Sequence, residues 1–398
     1  MNFVLFDNIY RNQLLPLTFM RPMADIRVGI LTIREKWEKY LKQQVSVFTE
    51  TYLSKKFPLI RENDNIIIAA NICPTEELVQ EICSLQPGEA LLKEDLLMAI
   101  HLSERELTML ENSAEYSDQF IETYFETDLE FNVVKNVYDI FLLNDKEIRA
   151  DYELLTKNRI SAPLNSSNQV FGNDLFIEEG AIVNGATLNT VTGPVYIGKN
   201  AEIMEGALVR GPLALGEGAV LKMGAKVYGA TTVGPYSKVG GEVSNVVFFG
   251  NSNKAHDGFL GNSVIAEWCN FGADSNCSNL KNNYDKIRLW NYNSKRFEST
   301  GLQFCGLIMG DHSKCGINTM FNTGTVVGVS ANIFGTGFPR NFIPSFFWGS
   351  PALHQDYELS AACETAKIVM QRRGVEFTPA DAEIFKTIFE NTKVNRRI

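Results

Sequence analysis

The sequence predicts an α/β amino-terminal domain, then a parallel β-helix, then a carboxy-terminal helical tail. Three observations predict it. Short apolar runs alternate with amphipathic stretches in the first part of the chain, the composition changes sharply after a polar segment, and aliphatic residues recur every six positions from Ile177. At 398 residues the chain is too long for one ordinary core. The boundaries read as 1–160 for the α/β domain with its linker helix, 170–350 for the β-helix and 355–398 for the tail.

In the first part, "FVLF" (3–6), "VSVFT" (45–49) and "NIIIAA" (65–70) have the apolar, β-rich character of buried strands. "TIREKWEKYLKQ" and "PTEELVQEIC" have helical spacing, the second opening at Pro74-Thr75. Strands alternating with helices predict a largely parallel sheet. Residues 136–158 read as one long helix leading out of this domain, and "RISAPLNSSNQVFGND" as a polar linker.

The period of six begins with Ile177 and Val183. After an insertion of two it runs through Val191, Ile197, Ile203, Val209, Leu215, Leu221, Val227, Val233 and Val239. It resumes at Phe259, Ile265, Phe271 and Cys277, and again at Met309, Cys315, Phe321, Val327 and Ile333. Side chains repeat every 3.6 residues on a helix face and every two on a strand, so neither explains six. A β-helix does: each hexad forms one side of a coil and sends one aliphatic side chain into the shaft.

Bulk properties narrow the partners. A net charge of -10 with no basic stripe excludes nucleic acid and anionic membrane surfaces as expected partners. No run reaches the roughly 18 apolar residues that a membrane span needs. "MNFVLFDNIY" reads as lacking a secretory leader. Seven cysteines without a C-x-x-C pair predict reduced thiols, a cytoplasmic setting and no metal site.

Within the hexads, "AHDGFLGN", "NFGAD" and "NNYD" occur in that order. They resemble the acetyltransferase motifs of the GlmU family, bifunctional enzymes that acetylate glucosamine 1-phosphate and attach uridylate. The resemblance implies a left-handed β-helix, a homotrimer and acetyl-CoA as acyl donor. It implies His256 as general base, Asn270, Asn283 and Tyr284 on the sugar phosphate, and Ala273 near the thioester. Two features depart from the family: Phe259 stands where it has a tyrosine, and its upstream basic residues are missing, which leaves Lys254 as the candidate for the phosphate. His312, in "GDHSK", reads as a corner residue. Only two histidines occur in this region, too few for the three zinc ligands of the γ-class carbonic anhydrases, which share the shaft.

"LLPLTFMRP" (14–22) is similar to the second half of the signature loop of sugar-phosphate nucleotidyltransferases. That likeness implies nucleotide-binding roles for Arg11, Arg21 and Arg27, and Mg2+ if the domain is active. The loop's glycines are replaced by "DNIYRN", its lysine by Met23, and the family's metal-binding aspartate falls at Asn71. The expected function is acetyl-CoA-dependent N-acylation of an amino-sugar phosphate, with nucleotidyl transfer in doubt. A non-catalytic trimeric protein that binds a sugar nucleotide is the alternative.

Overall fold

The computed structural model describes residues 1–94, 96–111 and 120–397. The chain forms two compact units. The first comprises 1–14, 21–26 and 31–135, and the second comprises 15–20, 27–30 and the chain from 136 onward.

The first unit is built on a six-stranded sheet of β1 (Asn2–Phe6), β2 (Ser46–Phe48), β3 (Asp64–Ala69), β4 (Glu89–Lys93), β5 (Leu96–Ser103) and β6 (Thr123–Glu126), ordered β2-β1-β3-β5-β4-β6. Its helices are α1 (Ile33–Leu41), α2 (Glu76–Ser84) and α3 (Glu104–Glu111). The three predicted strands and two predicted helices form. Thr32 and Glu35 make a capping box that starts α1, and the Thr75 hydroxyl caps α2 at the Leu78 amide. The sheet differs from the prediction in being mixed. β1 pairs in parallel with β2 and β3, and β4 with β6, but β5 runs antiparallel to both β3 and β4. Only two residues separate β4 from β5, too few for a crossover helix, and antiparallel pairing follows.

The second unit is a parallel β-helix preceded by α4 (Asp139–Thr156) and followed by α5 (Leu359–Gln371) and α6 (Pro379–Asn391). Each coil has three faces. The first face is a ten-stranded sheet, and the other two lie in a fifteen-stranded one. Neighbouring coils pair in parallel, so like positions stack: Val183, Ile203, Leu221 and Val239 line the first face from inside, all at most 5% exposed. The polar linker is partly misread, because Gln169–Phe171 already pairs with the coil below it. Two hexad positions shift as well. Val191 is 72% exposed while Leu188 is fully buried, which puts the insertion after the strand Thr187–Asn189. Leu260, not the half-buried Phe259, points into the shaft.

Among the described residues, one shaft position is held by a charged side chain. Val239 registers with Lys254, and Asn253 with Asn270, so Lys254 takes an inward position above Phe271. It is 2% exposed, and its ammonium donates to the carbonyls of Gly240 at 3.1 Å and His256 at 2.9 Å. The expected phosphate contact by Lys254 therefore meets a side chain turned into the core. Burial is the main influence on this ammonium and pulls its pKa from the ordinary 10.5 down to about 8. Over that interval the unfolded chain holds a proton that the folded chain has released, so stability rises with pH there. The gap corresponds to roughly 3 kcal/mol of penalty at neutral pH.

Lys254→Met, which keeps the volume and removes the charge, is expected to raise Tm at pH 7. It should also remove the gain in stability that the wild type shows between about pH 8 and 10.5. Thermal unfolding of both proteins across that range checks it, and equal pH slopes would refute it.

Candidate functional site

His256 sits on a corner between the first face (Asn253–Lys254) and the second, which opens the long strand Phe259–Ile265 that continues into the third. The corner is longer than its predecessor: Val239 pairs with Lys254, but Glu242 pairs with Phe259, so two extra residues bulge outward here. Two glycines make room for the bulge. Gly258 has φ +115°, and a Cβ there would lie 2.2 Å from the Ser275 carbonyl oxygen. Gly241 has φ +71°, and its Cβ would lie 2.8 Å from the Asp257 Cα and 2.9 Å from the His256 oxygen. Lys254 fixes the same corner from inside through the His256 carbonyl. The imidazole itself is exposed, and no hydrogen bond holds it among the described residues.

The register then places two other expected residues nearby. Asn253 pairs with Asn270, and Leu260 with Cys277, both seventeen apart, so Ala273 lies under His256 on the next coil. Asn270 is exposed on the adjoining first face, its amide oxygen 3.5 Å from the Asn253 amide nitrogen. Asn283 and Tyr284 lie elsewhere. They follow the second face, in an excursion that leaves the coil after Asn276–Cys277 and returns at Leu307–Met309. Both are exposed, Tyr284 at 64% with φ +58°. The Asn283 side chain is turned back onto Asp285, accepting from its amide at 3.2 Å and donating to its carboxylate. Within one chain the second face separates this pair from His256. His312 is a corner residue, but a buried one, stacked on Trp268 and edge-on to Phe385.

In the first unit the residues that flank the signature loop hold one another. Arg11 is 5% exposed, ion-paired to Asp7 at 2.6 Å and hydrogen-bonded to the Arg21 carbonyl at 3.2 Å. Asp7 also accepts from the Met23 amide at 2.8 Å and the Thr49 hydroxyl at 2.5 Å. Arg21 is buried too. Asn71 is fully buried at the end of β3, its amide oxygen taken by Asn8 at 2.8 Å and its nitrogen by the Val134 carbonyl at 3.2 Å. A neutral amide with both ends bonded does not fit a Mg2+ ion, which needs carboxylate oxygens. In the second unit Arg27 is 7% exposed, its guanidinium on the carbonyls of Phe249 (2.9 Å) and Ile30.

Sequence reasoning missed a cleft of about 580 Å³ between the first face and α5, which Asn270 lines together with Lys238, Lys314, Arg372 and Arg373. The hexad pattern held a signal for it. Lys238, Asn253, Asn270 and Lys314 each precede a shaft residue, so all four point outward from one face in adjacent coils.

Residues 3–160 match the family model described as sugar nucleotidyl transferase. A bifunctional sugar-1-phosphate nucleotidylyltransferase/acetyltransferase of Sulfurisphaera tokodaii is 36% identical over 146 residues, which is 36% of each chain. The bifunctional protein GlmU of Methanocaldococcus jannaschii is 37% identical over 87 residues, 22% of this chain and 21% of that one. The chain thus spans little more than a third of the first relative and about a fifth of the second. Among solved structures, the UDP-N-acetylglucosamine acyltransferase of Arabidopsis covers 59% of this chain and 92% of its own at 17% identity, with a TM-score of 0.25. Over residues 3–160, then, the chain is similar to the sugar nucleotidyl transferase family.

Proposed function

We propose that the β-helix is an acyl-CoA-dependent N-acyltransferase that acts on an amino-sugar phosphate, with acetyl-CoA as donor and His256 as general base. One observation carries this reading: an exposed imidazole, without a hydrogen-bond partner among the described residues, stands on a glycine-cleared corner, over Ala273 and near Asn270. As the sugar amine attacks the thioester carbonyl, the C–N bond forms and the amine proton passes to the imidazole; the C–S bond then breaks and the imidazolium gives that proton to the sulfur, releasing coenzyme A thiol. Backbone amides near Ala273 would face the developing oxyanion, where fixed donors are most effective.

Asn283 and Tyr284 reach such a site only from a neighbouring copy, because the second face stands between them and His256 in the same chain. That geometry favours a closed cyclic assembly, and we read it as a homotrimer. The amino-terminal domain keeps the family's fold, but its phosphate loop and metal position are occupied by internal hydrogen bonds, so we read it as inactive in Mg2+-dependent nucleotidyl transfer. Its reduced thiols suit a cytoplasmic setting.

Purified protein is expected to release coenzyme A thiol from acetyl-CoA when given an amino-sugar phosphate. His256→Ala should lower that rate roughly 100- to 10,000-fold, the usual contribution of a positioned base, with Tm unchanged because the side chain is exposed. A His256→Ala protein with near-normal turnover would sink the mechanism. Light scattering at micromolar concentration should give three times the chain mass of 44.6 kDa. Pyrophosphate release from uridine, thymidine or guanosine triphosphate with a sugar 1-phosphate and Mg2+ should stay at background. Robust release would show that a different loop cradles the phosphates.

A further inference from the structure

We propose that the cleft between the first face and α5 binds the phosphate or diphosphate group of a small organic ligand. Four cations converge on it. Lys238 and Lys314 come from the two ends of a ladder of adjacent coils, Lys238–Asn253–Asn270–Lys314, and Arg372 and Arg373 come from the end of α5. At roughly 4.8 Å between strands, the ladder spans about 14 Å. Two carboxamides sit between its ammonium groups, and they serve as donors to phosphate oxygens as readily as the cations do.

The charge balance singles this place out. The chain has a net charge of -10, yet among the described residues that line the cleft there is no carboxylate. None of the four cations forms an ion pair among the described residues. Arginines at the end of a helix are favoured there by the helix dipole, which accounts for Arg372 and Arg373 without a ligand. It does not account for Lys238 and Lys314, which stand on strands. Lys314 is half-buried, with its ammonium on the His312 carbonyl at 2.8 Å, and burial lowers its pKa. Arg373 is lowered too, by desolvation and then by the adjacent Arg372. An anion in the cleft relieves both.

The cleft is also preformed. Arg373 closes it by donating to the Tyr236 carbonyl at 2.6 Å and to the Asn253 amide oxygen at 3.0 Å, which ties the end of α5 to the face. Its 580 Å³ is more than an inorganic phosphate fills and lies in the range of small-molecule sites. Ala255, the residue before His256, lines it, so a ligand anchored here lies next to the proposed acyl-transfer corner. The site stands on its own charge and shape. Only its role as the anchor for an acyl-transfer substrate rests on the function proposed above.

The test is calorimetric titration of the full chain with pyrophosphate, coenzyme A and glucosamine 1-phosphate, at low and at moderate salt. Binding of at least one probe is expected, weakened by salt as charge contacts are. The Lys238→Gln/Arg372→Gln double variant alters two exposed side chains that make no described hydrogen bonds, so its fold and Tm should be preserved. Its affinity should drop by about tenfold or more for each lost charge-assisted contact. The strongest probe identifies the source of the phosphate. No binding by any of the three, or equal binding by the folded double variant, overturns the proposal. His256→Ala should bind with wild-type affinity. Binding by a wild-type protein that releases no coenzyme A thiol with any amino-sugar phosphate would retire the acyl-transfer reading and leave the site standing.

Discussion

A coil of the β-helix has no interior of its own. Its inward side chains are covered from above and below by neighbouring coils, and its strands pair with the same neighbours, as Val239 shows between Leu221 and Lys254. Stacking is therefore the interaction on which the rest depends. It forces like positions into register, and register then decides which residues meet on the outside. His256 lies over Ala273, and Lys238 stands in line with Asn253, Asn270 and Lys314, because the inner residues beside them must align.

That constraint also explains how far the sequence could be read. A requirement repeated every six residues leaves a visible trace, and Ile197 through Val239 are buried as the period demands. The trace fails where the coil changes length. Val191 kept the spacing while Leu188 kept the shaft, and Phe259 and Leu260 exchanged roles after the His256 bulge. Lys254 was hidden by its chemistry rather than its position: it lies six residues from both Phe248 and Leu260, which are buried in the shaft, yet an ammonium there reads as a surface group. The mixed sheet of the first unit was illegible for a simpler reason. Nothing local to β4 and β5 states their direction, and only pairing settles it.

The candidate sites show the same division. The corner histidine was legible because a polar residue interrupts an aliphatic rhythm. The roles of Arg11 and Arg27 were not, because an arginine that binds a phosphate and an arginine that braces the protein's own groups have the same spelling. The difference lies in Asp7 and in the Phe249 carbonyl, distant partners that burial brings close. Arg372 and Arg373 matter only because α5 lays them across a face formed more than fifty residues earlier.

The excursion between Cys277 and Leu307 carries one more lesson. Its strands Arg288–Asn291 and Arg296–Ser299 pair with each other, and Trp290 stacks on Phe342 of a later coil at 4.3 Å, so the segment pairs its own strands and rests its aromatics on the shaft. Beyond it the coils resume in register, Ile265 with Met309 and Cys277 with Phe321. A corner of this shaft can thus host a foreign hairpin without disturbing the stack. Such corners are natural ports for grafting: a recognition loop or reporter peptide with paired ends, inserted there, would be displayed at a fixed height along the axis while the aliphatic column continues past it.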